Sequence, residues 1–394
     1  MLQPVAGSLK EVFSTKSRTF AAMKLYIIAG EASGDLHGAN LIKQLKRHQP
    51  NIEIRCWGGD LMQQAGGTLV KHYRNLAFMG FVEVAANLRT ILRNISFCKQ
   101  DILTFKPNAV VLIDYPGFNL RIARFAHQHN IKVFYYISPQ VWAWHQSRVK
   151  AMRLIIDHLY VILPFEKAFF KTHNMPQVSY FGHPLLDAIE QKKEALKNVT
   201  LAHLGIPNNR PIIAILPGSR RQELLTKLPI MLSVIKHFPD YRFVIAATET
   251  LPAALYYRII KQYGDADVVY NRTYELLHLS TAALVTSGTA TLETALLNIP
   301  QVVCYKASTV SYHIAKRLVD LKYISLVNLI MDEEVVKELI QSNLNTQNLV
   351  NELHLILPNG KNRTTVLQHY QQLRNLLGGV GASERVALDM LTKL

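Results

Sequence analysis

The chain has 394 residues, of which 49% are hydrophobic and 18% are charged, and its formal net charge is +16 at pH 7. This length predicts two domains of about 150–200 residues each, and the apolar content excludes a disordered chain. No apolar run reaches the roughly 18–20 residues that span a bilayer, and the positive charge indicates an anionic partner: nucleic acid, acidic phospholipid or a phosphorylated substrate.

Residues 1–22 differ in character from the rest of the chain. They carry Lys10, Lys16 and Arg18 among serines and threonines, and they contain no apolar stretch long enough for a signal peptide. We expect a disordered extension, with the folded part starting near Met23. A basic, membrane-touching tail is the alternative.

Three short apolar runs in the first half have the character of strands: Leu25–Ala29, Val110–Ile113 and Lys132–Ile137. The first two are each followed by a glycine-containing turn and a segment with helical periodicity. Continuous apolar strands that alternate with helices are typical of a parallel sheet covered on both faces. We therefore predict a doubly wound domain over residues 23–190.

The pattern starts again after a charged stretch at 191–200 and a turn at 207–211. The strand candidates of this second half are Ile212–Leu216, Arg242–Ala246, Asp267–Tyr270, Ala283–Thr286 and Gln301–Tyr305. We predict an α/β fold of two doubly wound parallel sheets, the second over residues 191–364, with a ligand cleft between the domains. Ligands of such sheets lie at the carboxyl ends of the strands, so the motifs that follow strands are the candidates for binding.

The first such motif is AGEASGDLHG at 29–38. Its glycines permit close backbone approach, but it is neither a dinucleotide fingerprint nor a phosphate loop, so use of NAD or ATP has no support. Its acidic side chains favour a hydroxyl-rich ligand. The candidate cleft residues are Gly30, Glu31, Ser33, Gly34 and Asp35. The alternative is a tight turn whose glycines let the helix pack on the sheet.

The second motif is IDYPGFN at 113–119. Asp114 comes at the carboxyl end of a buried strand, where a carboxylate can act as a general base towards a ligand in the cleft. We expect Asn119 to cap the following helix, which would leave Asp114 without that structural duty. The residues alone leave a catalytic and a structural role for Asp114 equally open.

A third motif, SPQVWAWH at 138–145, concentrates aromatic residues after a strand. Gln140, Trp142 and His145 are candidates to contact a sugar or to line an acyl groove. Aromatic residues in loops more often serve simple packing, which is the favoured alternative here.

A fourth motif, LPGSRRQE at 216–223, ends a strand and opens a helix near Arg221. Gly218 and Ser219 free the next backbone amides, and the positive end of the helix together with Arg220 would form an anion site suited to a diphosphate. The alternative is a serine N-cap followed by solvated arginines.

The fifth motif, TSGTATLE at 286–293, repeats this arrangement. Ser287, Gly288 and Thr289 open another helix, so two helix starts would face one diphosphate from both sides. Glu293 falls in the first turn, where the helix dipole alone favours a carboxylate. Acceptance of hydrogen bonds from ribose hydroxyls is the functional alternative for this side chain.

Cysteine and histidine show no metal-site pattern. Cys56, Cys98 and Cys304 are widely spaced and form no CxxC, which predicts the reduced thiols of a cytosolic protein. The fifteen histidines include no HExxH and no other ligand spacing. We expect neither a bound metal nor a cofactor.

Taken in order, the motifs resemble those of the lipid-A-disaccharide synthases. The matching segments are AGEASGDLHGA (29–39), IDYPGFN (113–119), ISPQVWAWHQSRV (137–149), FGHPL (181–185), LPGSRRQE (216–223), TSGTATLE (286–293) and SLVNLI (325–330). The resemblance implies a GT-B fold, in which two Rossmann-like domains face each other across a cleft. It also implies an inverting, metal-independent glycosyltransferase.

The reaction implied by the resemblance transfers 2,3-diacylglucosamine from UDP-2,3-diacylglucosamine to 2,3-diacylglucosamine 1-phosphate. The products would be the β-1,6-linked lipid A disaccharide 1-phosphate and UDP. Asp114 matches the position of the family's proposed base. The implied donor contacts are Gly218, Ser219 and Arg220 to the diphosphate, Glu293 to the ribose and Asn328 to the nucleotide. The second helix start, at 287–289, also belongs to the predicted donor site.

The resemblance also implies an acyl-chain and membrane-facing region at 76–84. The residues concerned are the apolar Phe78, Met79, Phe81 and Val82, followed by the basic Arg89, Arg93 and Lys99. Apolar insertion beside basic charge gives reversible interfacial binding, whereas an amphipathic core helix is the alternative. We therefore expect a cytoplasmic protein that associates peripherally with an anionic inner membrane surface of a Gram-negative-type bacterium. A homodimer is left open.

The family's C-terminal helices, here about 365–394, return to the first domain, which would place Val386, Leu388, Leu391 and Leu394 against it.

Two rival functions remain. A UDP-sugar 2-epimerase would share the architecture and the donor site but need no lipid acceptor. A non-catalytic nucleic-acid or membrane-binding module would bind in a salt-sensitive manner. Because the sequence lacks a nucleic-acid-binding motif, we expect no nucleic-acid partner.

Overall fold

The computed structural model describes residues 23–75, 88–143, 146–207, 210–307 and 322–394. These residues form two lobes, each built on one parallel β-sheet with helices on both faces. The predictions for residues 1–22, for the membrane patch at Phe78, Met79, Phe81 and Val82, and for His145 lie outside the described residues.

The first lobe contains the sheet that follows Met23. Its strands are β1 (Lys24–Ala29), β2 (Glu53–Gly58), β3 (Thr68–His72), β4 (Ala109–Ile113), β5 (Lys132–Tyr136), β6 (His158–Val161) and β7 (Val178–Tyr180). Its helices are α1 (Ala32–His48), α2 (Asp60–Gln64), α3 (Leu88–Phe105), α4 (Pro116–Gln128), α5 (Arg148–Ile155) and α6 (Glu166–Thr172). Helix α7 (Pro184–Lys197) then leads into the second lobe.

The second lobe repeats the alternation of strands and helices. Its strands are β8 (Ile212–Leu216), β9 (Arg242–Ala247), β10 (Asp267–Tyr270), β11 (Ser280–Thr286), β12 (Gln301–Tyr305) and β13 (Lys337–Ile340). Its helices are α8 (Arg221–Leu232), α9 (Ala253–Tyr263), α10 (Thr273–His278), α11 (Thr289–Leu296), α12 (Leu326–Met331), α13 (Thr346–Ile356) and α14 (Arg363–Leu376). The final helix, α15 (Ala382–Lys393), returns to the first lobe.

Both sheets have the doubly wound strand order. The first runs β3-β2-β1-β4-β5-β6-β7 and the second β10-β9-β8-β11-β12-β13. The order therefore reverses between β1 and β4 and between β8 and β11, and a crevice opens at the carboxyl ends of the strands at each reversal. The register pairs Ala29 with Ile113 and Leu216 with Val285, so the turns that follow these strands start side by side. The predicted doubly wound α/β architecture of both halves is confirmed.

Apolar side chains cover both faces of each sheet. In β1, Tyr26 and Ile28 enter the core on one face, and Leu25 and Ile27 enter the core on the other. The same division holds in β8, where Ile213 faces one core and Ala214 the opposite one. Burial on both faces explains why the central strands are continuous apolar runs rather than alternating ones.

A separate apolar cluster joins the two lobes. It contains Leu163, Leu185, Leu186 and Ile189 from the end of the first lobe and from α7, and Leu292, Leu296, Val303, Tyr370 and Leu373 from the second. The predicted boundary between residues 190 and 191 falls inside α7. The charged stretch at 191–200 is largely the exposed face of this helix, and only Leu196 within it is buried.

The C-terminal helix α15 packs on α1 of the first lobe. Val386, Ala387 and Met390 lie in the same core cluster as Leu25 and Ile27. The turn before α15 is held by Asp187 of α7, whose carboxylate accepts hydrogen bonds from the amides of Gly381 (2.6 Å) and Ser383 (2.8 Å).

Leu388 does not belong to this contact, and the expectation for it is wrong. It is 42% exposed, whereas Leu391 and Leu394 pack partly buried against the first-lobe core. Two residues correspond to about 200° of rotation around a helix, so Leu388 lies on the opposite side from Val386.

All three cysteines are buried as free thiols. None of the helices in the described ranges combines the length and the apolarity that crossing a bilayer requires.

Candidate active site between the lobes

Four sequence motifs meet at the two points where the strand order reverses. In the first lobe Glu31 follows β1 and Asp114 follows the neighbouring β4. In the second lobe residues 218–220 follow β8, and residues 287–288 follow the neighbouring β11. Burial raises the pKa of Glu31, and the positive charge of Arg220 in the opposite lobe counteracts this shift. The two reversals therefore face each other across one cleft.

The backbone of Asp114 is tightly held. Its φ of 45° and the φ of 48° at Tyr115 both lie in the left-handed region, which costs a non-glycine residue about 1–2 kcal/mol. The Asp114 carbonyl accepts hydrogen bonds from the Tyr135 hydroxyl (2.6 Å) and from Asn119 Nδ2 (2.8 Å), and its amide donates to the Tyr136 carbonyl (3.2 Å). These bonds fix the point from which the carboxylate projects.

Asn119 does not cap α4 as expected. The helix starts at Pro116, with Tyr115 at the N-cap, because a proline pre-sets the φ of the first helical position. Asn119 instead lies buried inside the helix and donates through Nδ2 to the carbonyls of Ile113 (3.1 Å) and Asp114 (2.8 Å). It supports the turn that carries Asp114.

The carboxyl group of Asp114 is a stronger base than an ordinary aspartate. Burial raises its pKa to about 6, the negative charge of Glu31 adds to the shift, and a hydrogen bond from the Tyr115 amide opposes it. A carboxylate with this pKa is ionised at neutral pH yet takes up a proton more readily than a solvated one. The group fits the general-base hypothesis.

Packing accounts for the glycines of the first motif. A Cβ at Gly30 would lie 2.3 Å from the ring of Tyr115, so only glycine lets this ring lie over the end of β1. A Cβ at Gly34 would lie 3.0 Å from that of Ala29, in the contact between α1 and the sheet. Both glycines are buried, which supports the packing alternative for them.

The prediction of Asp35 as a cleft residue is wrong. Its side chain is buried, and its carboxylate accepts hydrogen bonds from the amides of Gly59 (2.7 Å), Leu61 (3.2 Å) and Met62 (3.1 Å). Asp35 thus satisfies the free amides at the start of α2. Ser33 is exposed on the first turn of α1, next to Glu31.

A cavity of about 450 Å³ lies at the strand-order reversal of the second lobe. The predicted residues that line it are Gly218, Ser219, Arg220, Ser287, Gly288, Thr289 and Glu293. Arg220 is the N-cap residue of α8 and Gly288 that of α11. Two helix starts therefore open onto one cavity, and their backbone amides and dipoles favour an anion there.

Glu293 is fixed on the wall of this cavity by a neighbour that the motifs do not reveal. Tyr274 of α10 donates its hydroxyl hydrogen to Glu293 Oε1 (3.1 Å), and the ammonium of Lys192 in α7 lies 4.6 Å from the centre of the Tyr274 ring. Burial raises the pKa of Glu293, while the Tyr274 hydrogen bond and the Lys192 charge lower it. In sequence, Tyr274 is indistinguishable from an ordinary core aromatic residue.

The prediction of Asn328 as a nucleotide contact is wrong. Asn328 is fully buried, and its Nδ2 donates to the Val336 carbonyl (2.8 Å) and to Glu338 Oε1 (2.9 Å). Its Oδ1 accepts from the amides of Val335 and Val336, both at 2.9 Å. The amide has no remaining hydrogen-bonding capacity for a ligand, because it ties α12 to the segment that leads into β13.

Trp142 serves packing. Its indole nitrogen donates to Glu166 Oε1 (3.1 Å), and its ring packs edge-on against Phe165 beside the cluster that joins the lobes. Glu166, which the motifs also miss, accepts from the Leu163 amide (2.9 Å) with its other oxygen. Gln140 is exposed.

Comparison with known proteins identifies the family. The family model for lipid-A-disaccharide synthetase matches residues 25–387. The lipid-A-disaccharide synthase of Syntrophus aciditrophicus is 38% identical over 375 residues, which cover 93% of this chain and 96% of that protein. That of Geobacter sulfurreducens is 35% identical over 94% of this chain and 98% of the relative. This chain belongs to the lipid-A-disaccharide synthase family. It is therefore a glycosyltransferase of lipid A biosynthesis.

Solved structures share the fold at low sequence identity. The UDP-GlcNAc 2-epimerase from Neisseria meningitidis has a TM-score of 0.67 and 17% identity, covering 94% of this chain and all of that one. The calicheamicin glycosyltransferase CalG4 has a TM-score of 0.58 and 14% identity, covering 94% of this chain and 98% of the other. These likenesses establish the GT-B fold, and the epimerase alternative has no support beyond it.

We predict that Asn328→Ala lowers the free energy of unfolding by about 2–4 kcal/mol, because it leaves buried backbone groups without partners. Urea denaturation measures this loss. Asn351→Ala, at an exposed position of α13, is the matched control and should change stability by less than about 0.5 kcal/mol. Unchanged stability with a loss of UDP affinity would restore the nucleotide contact for Asn328.

Proposed function

We propose that the chain transfers 2,3-diacylglucosamine from UDP-2,3-diacylglucosamine to the 6-hydroxyl of 2,3-diacylglucosamine 1-phosphate, releasing UDP. The single observation that carries this proposal is the opposition of two groups across the cleft. An anion site with two helix starts and Arg220 lies on one side, and the fixed carboxylate of Asp114 lies on the other. The family to which the chain belongs supplies the identity of the sugars.

In this proposal the second lobe binds the donor. Residues 218–220 and 287–289 hold the diphosphate through backbone amides and the Arg220 guanidinium, and Glu293 accepts hydrogen bonds from the ribose. As the bond from the sugar to UDP breaks, negative charge builds on the leaving phosphate oxygen. Fixed amides and a guanidinium stabilise this charge without reorganising, which lowers the barrier.

The first lobe supplies the acceptor side. Asp114 takes the proton from the acceptor hydroxyl while the oxygen attacks the anomeric carbon on the face opposite to UDP, which inverts the configuration. Three hydrogen bonds to the backbone of Asp114 hold this residue in place, so little entropy is lost when the acceptor arrives. Glu31 interacts electrostatically with both this base and Arg220, and in this proposal it contacts acceptor hydroxyls.

We further propose that the first lobe docks reversibly on an anionic inner membrane surface, where both lipid substrates reside, from the cytoplasmic side of a Gram-negative-type bacterium. Helix α3 supports this placement, because Leu88 and Leu92 are exposed beside the exposed Arg89 and Arg93. Lys99 instead lies against the Phe125 ring (5.1 Å). Association of two copies of the chain stays a prediction.

The reaction is tested by incubating the protein with UDP-2,3-diacylglucosamine and 2,3-diacylglucosamine 1-phosphate in detergent micelles. Mass spectrometry should detect the disaccharide 1-phosphate and free UDP in equal amounts. Omission of the acceptor should abolish the release of UDP. UDP formation without disaccharide would contradict the proposal.

Asp114→Asn should lower kcat by at least about a hundredfold, since an amide cannot accept the proton. In the wild-type enzyme, activity should fall as the pH drops below about 6, where Asp114 becomes protonated. Asp240→Asn, at an exposed turn of the second lobe, is the control and should leave kcat unchanged. An Asp114→Asn enzyme with near-normal turnover would rule out the general-base role.

Arg220→Ala should weaken UDP binding about 10–100-fold, the range expected for losing a charge-assisted hydrogen bond to a phosphate. Titration calorimetry with UDP measures the change. Arg221→Ala removes the neighbouring exposed guanidinium, which does not line the cavity, and should bind UDP normally. Equal affinities for the Arg220→Ala and wild-type proteins would remove the diphosphate assignment.

A further inference from the structure

A lysine lies directly behind the cavity of the second lobe. Lys227, in the second turn of α8, is only 2% exposed. Its ammonium contacts Oγ1 of Thr286, the last residue of β11, and lies 3.9 Å from Oε1 of Glu223. Both of these partners line the cavity. The ammonium thus connects the helix that opens from β8 to the strand that leads into the second helix start.

The cavity needs this cation for its charge balance. Among the described residues that line it, the ionisable side chains are Arg220, Glu223 and Glu293, one cation against two carboxylates. The two helix starts add about half a positive charge each. The lining side chains and the two helix starts therefore sum to about zero charge, and a bound diphosphate would make the total strongly negative.

Glu223 is the residue whose charge opposes the binding of a diphosphate most directly. Its carboxylate lies so close to Gly218 that a Cβ there would be 2.2 Å from Oε2, and Gly218 adopts a φ of 101° in this turn. A negative charge at this point repels a phosphate held by the same turn. Lys227 and Glu223 are the oppositely charged pair that cancels this repulsion.

The environment of Lys227 is otherwise unfavourable for a charge. Burial lowers its pKa, the attraction of Glu223 opposes this, and the nearby Arg220 lowers the pKa further. Leu224, Leu228 and the Cys304 thiol belong to the apolar core at this place. A buried lysine costs free energy unless it is paired, so its position here requires a compensating interaction.

We propose that Lys227 is a positioning residue of the diphosphate site: its ammonium neutralises Glu223 and holds the Thr286 end of β11, so that both helix starts face one ligand. This proposal deepens the donor assignment made above and rests on it. It assigns to the chain a second cation for the diphosphate, placed behind the wall of the cavity rather than on its surface.

The test compares UDP with uridine, which lacks the phosphates, by titration and displacement calorimetry. Lys227→Met should weaken UDP binding at least about tenfold, because it removes a positive charge behind the site and leaves the charge of Glu223 unopposed, and it should leave uridine binding unchanged. Methionine suits the apolar surroundings, and Glu223 is partly exposed, so solvent can screen its charge when Lys227 is replaced. The folded state is checked by circular dichroism and thermal denaturation.

A second variant keeps the test decisive if Lys227→Met does not fold. Glu223→Gln removes the repelling charge while Lys227 stays in place, and it should bind UDP several-fold more tightly than the wild type. In the double variant, Glu223→Gln should restore most of the UDP affinity that Lys227→Met loses. A purely structural lysine would not produce this rescue, nor a change confined to UDP.

Two results would overturn the proposal. One is a Lys227→Met protein whose preference for UDP over uridine equals that of the wild type. The other is a Glu223→Gln protein that binds UDP no better than the wild type. A wild-type protein without any preference for UDP over uridine would instead show that the donor assignment itself is wrong.

Discussion

The reversal of strand order at the centre of each sheet is the constraint on which the site depends. Strands β1 and β4, and β8 and β11, are neighbours whose crossover connections leave in opposite directions, so no helix fills the space above their carboxyl ends. The residues that follow these four strands are the ones that face the cleft. The cores on both faces keep the strands in register, and this register keeps the turns that follow neighbouring strands side by side.

The sequence predicts the centre of the molecule better than its edges. Central strands such as β4 and β8 are buried on both faces and therefore consist of apolar residues alone. Strands β2, β3 and β13 lie at or near sheet edges and carry charged residues such as Glu53, Lys71 and Lys337, so their composition does not distinguish them from loops. The turns that carry Asp114, Arg220 and Gly288 follow central strands, which explains why they were predictable.

Asp35 and Asn328 bind other parts of the chain, and the local sequence does not show this. Asp35 binds the amides of Gly59 and Met62, which lie some 25 residues further along the chain, and Asn328 binds the amides of Val335 and Val336 in the segment that follows its own helix. A polar side chain in a motif looks the same whether it contacts a ligand or another part of the chain. The spacing of Glu223 and Lys227 is likewise that of an ordinary surface ion pair on a helix, and only the packing of α8 on β11 places this pair beside the cavity.

The polypeptide passes between the lobes twice among the described residues, once through α7 and once between α14 and α15, and the two passages touch. His183 at the start of α7 donates its amide hydrogen to the Leu377 carbonyl (3.1 Å), and Asp187 binds the amides of Gly381 and Ser383. Because the two connections lie side by side, any relative motion of the lobes would pivot close to this contact. Such a motion would change the separation between Asp114 and Arg220 while each sheet stays rigid.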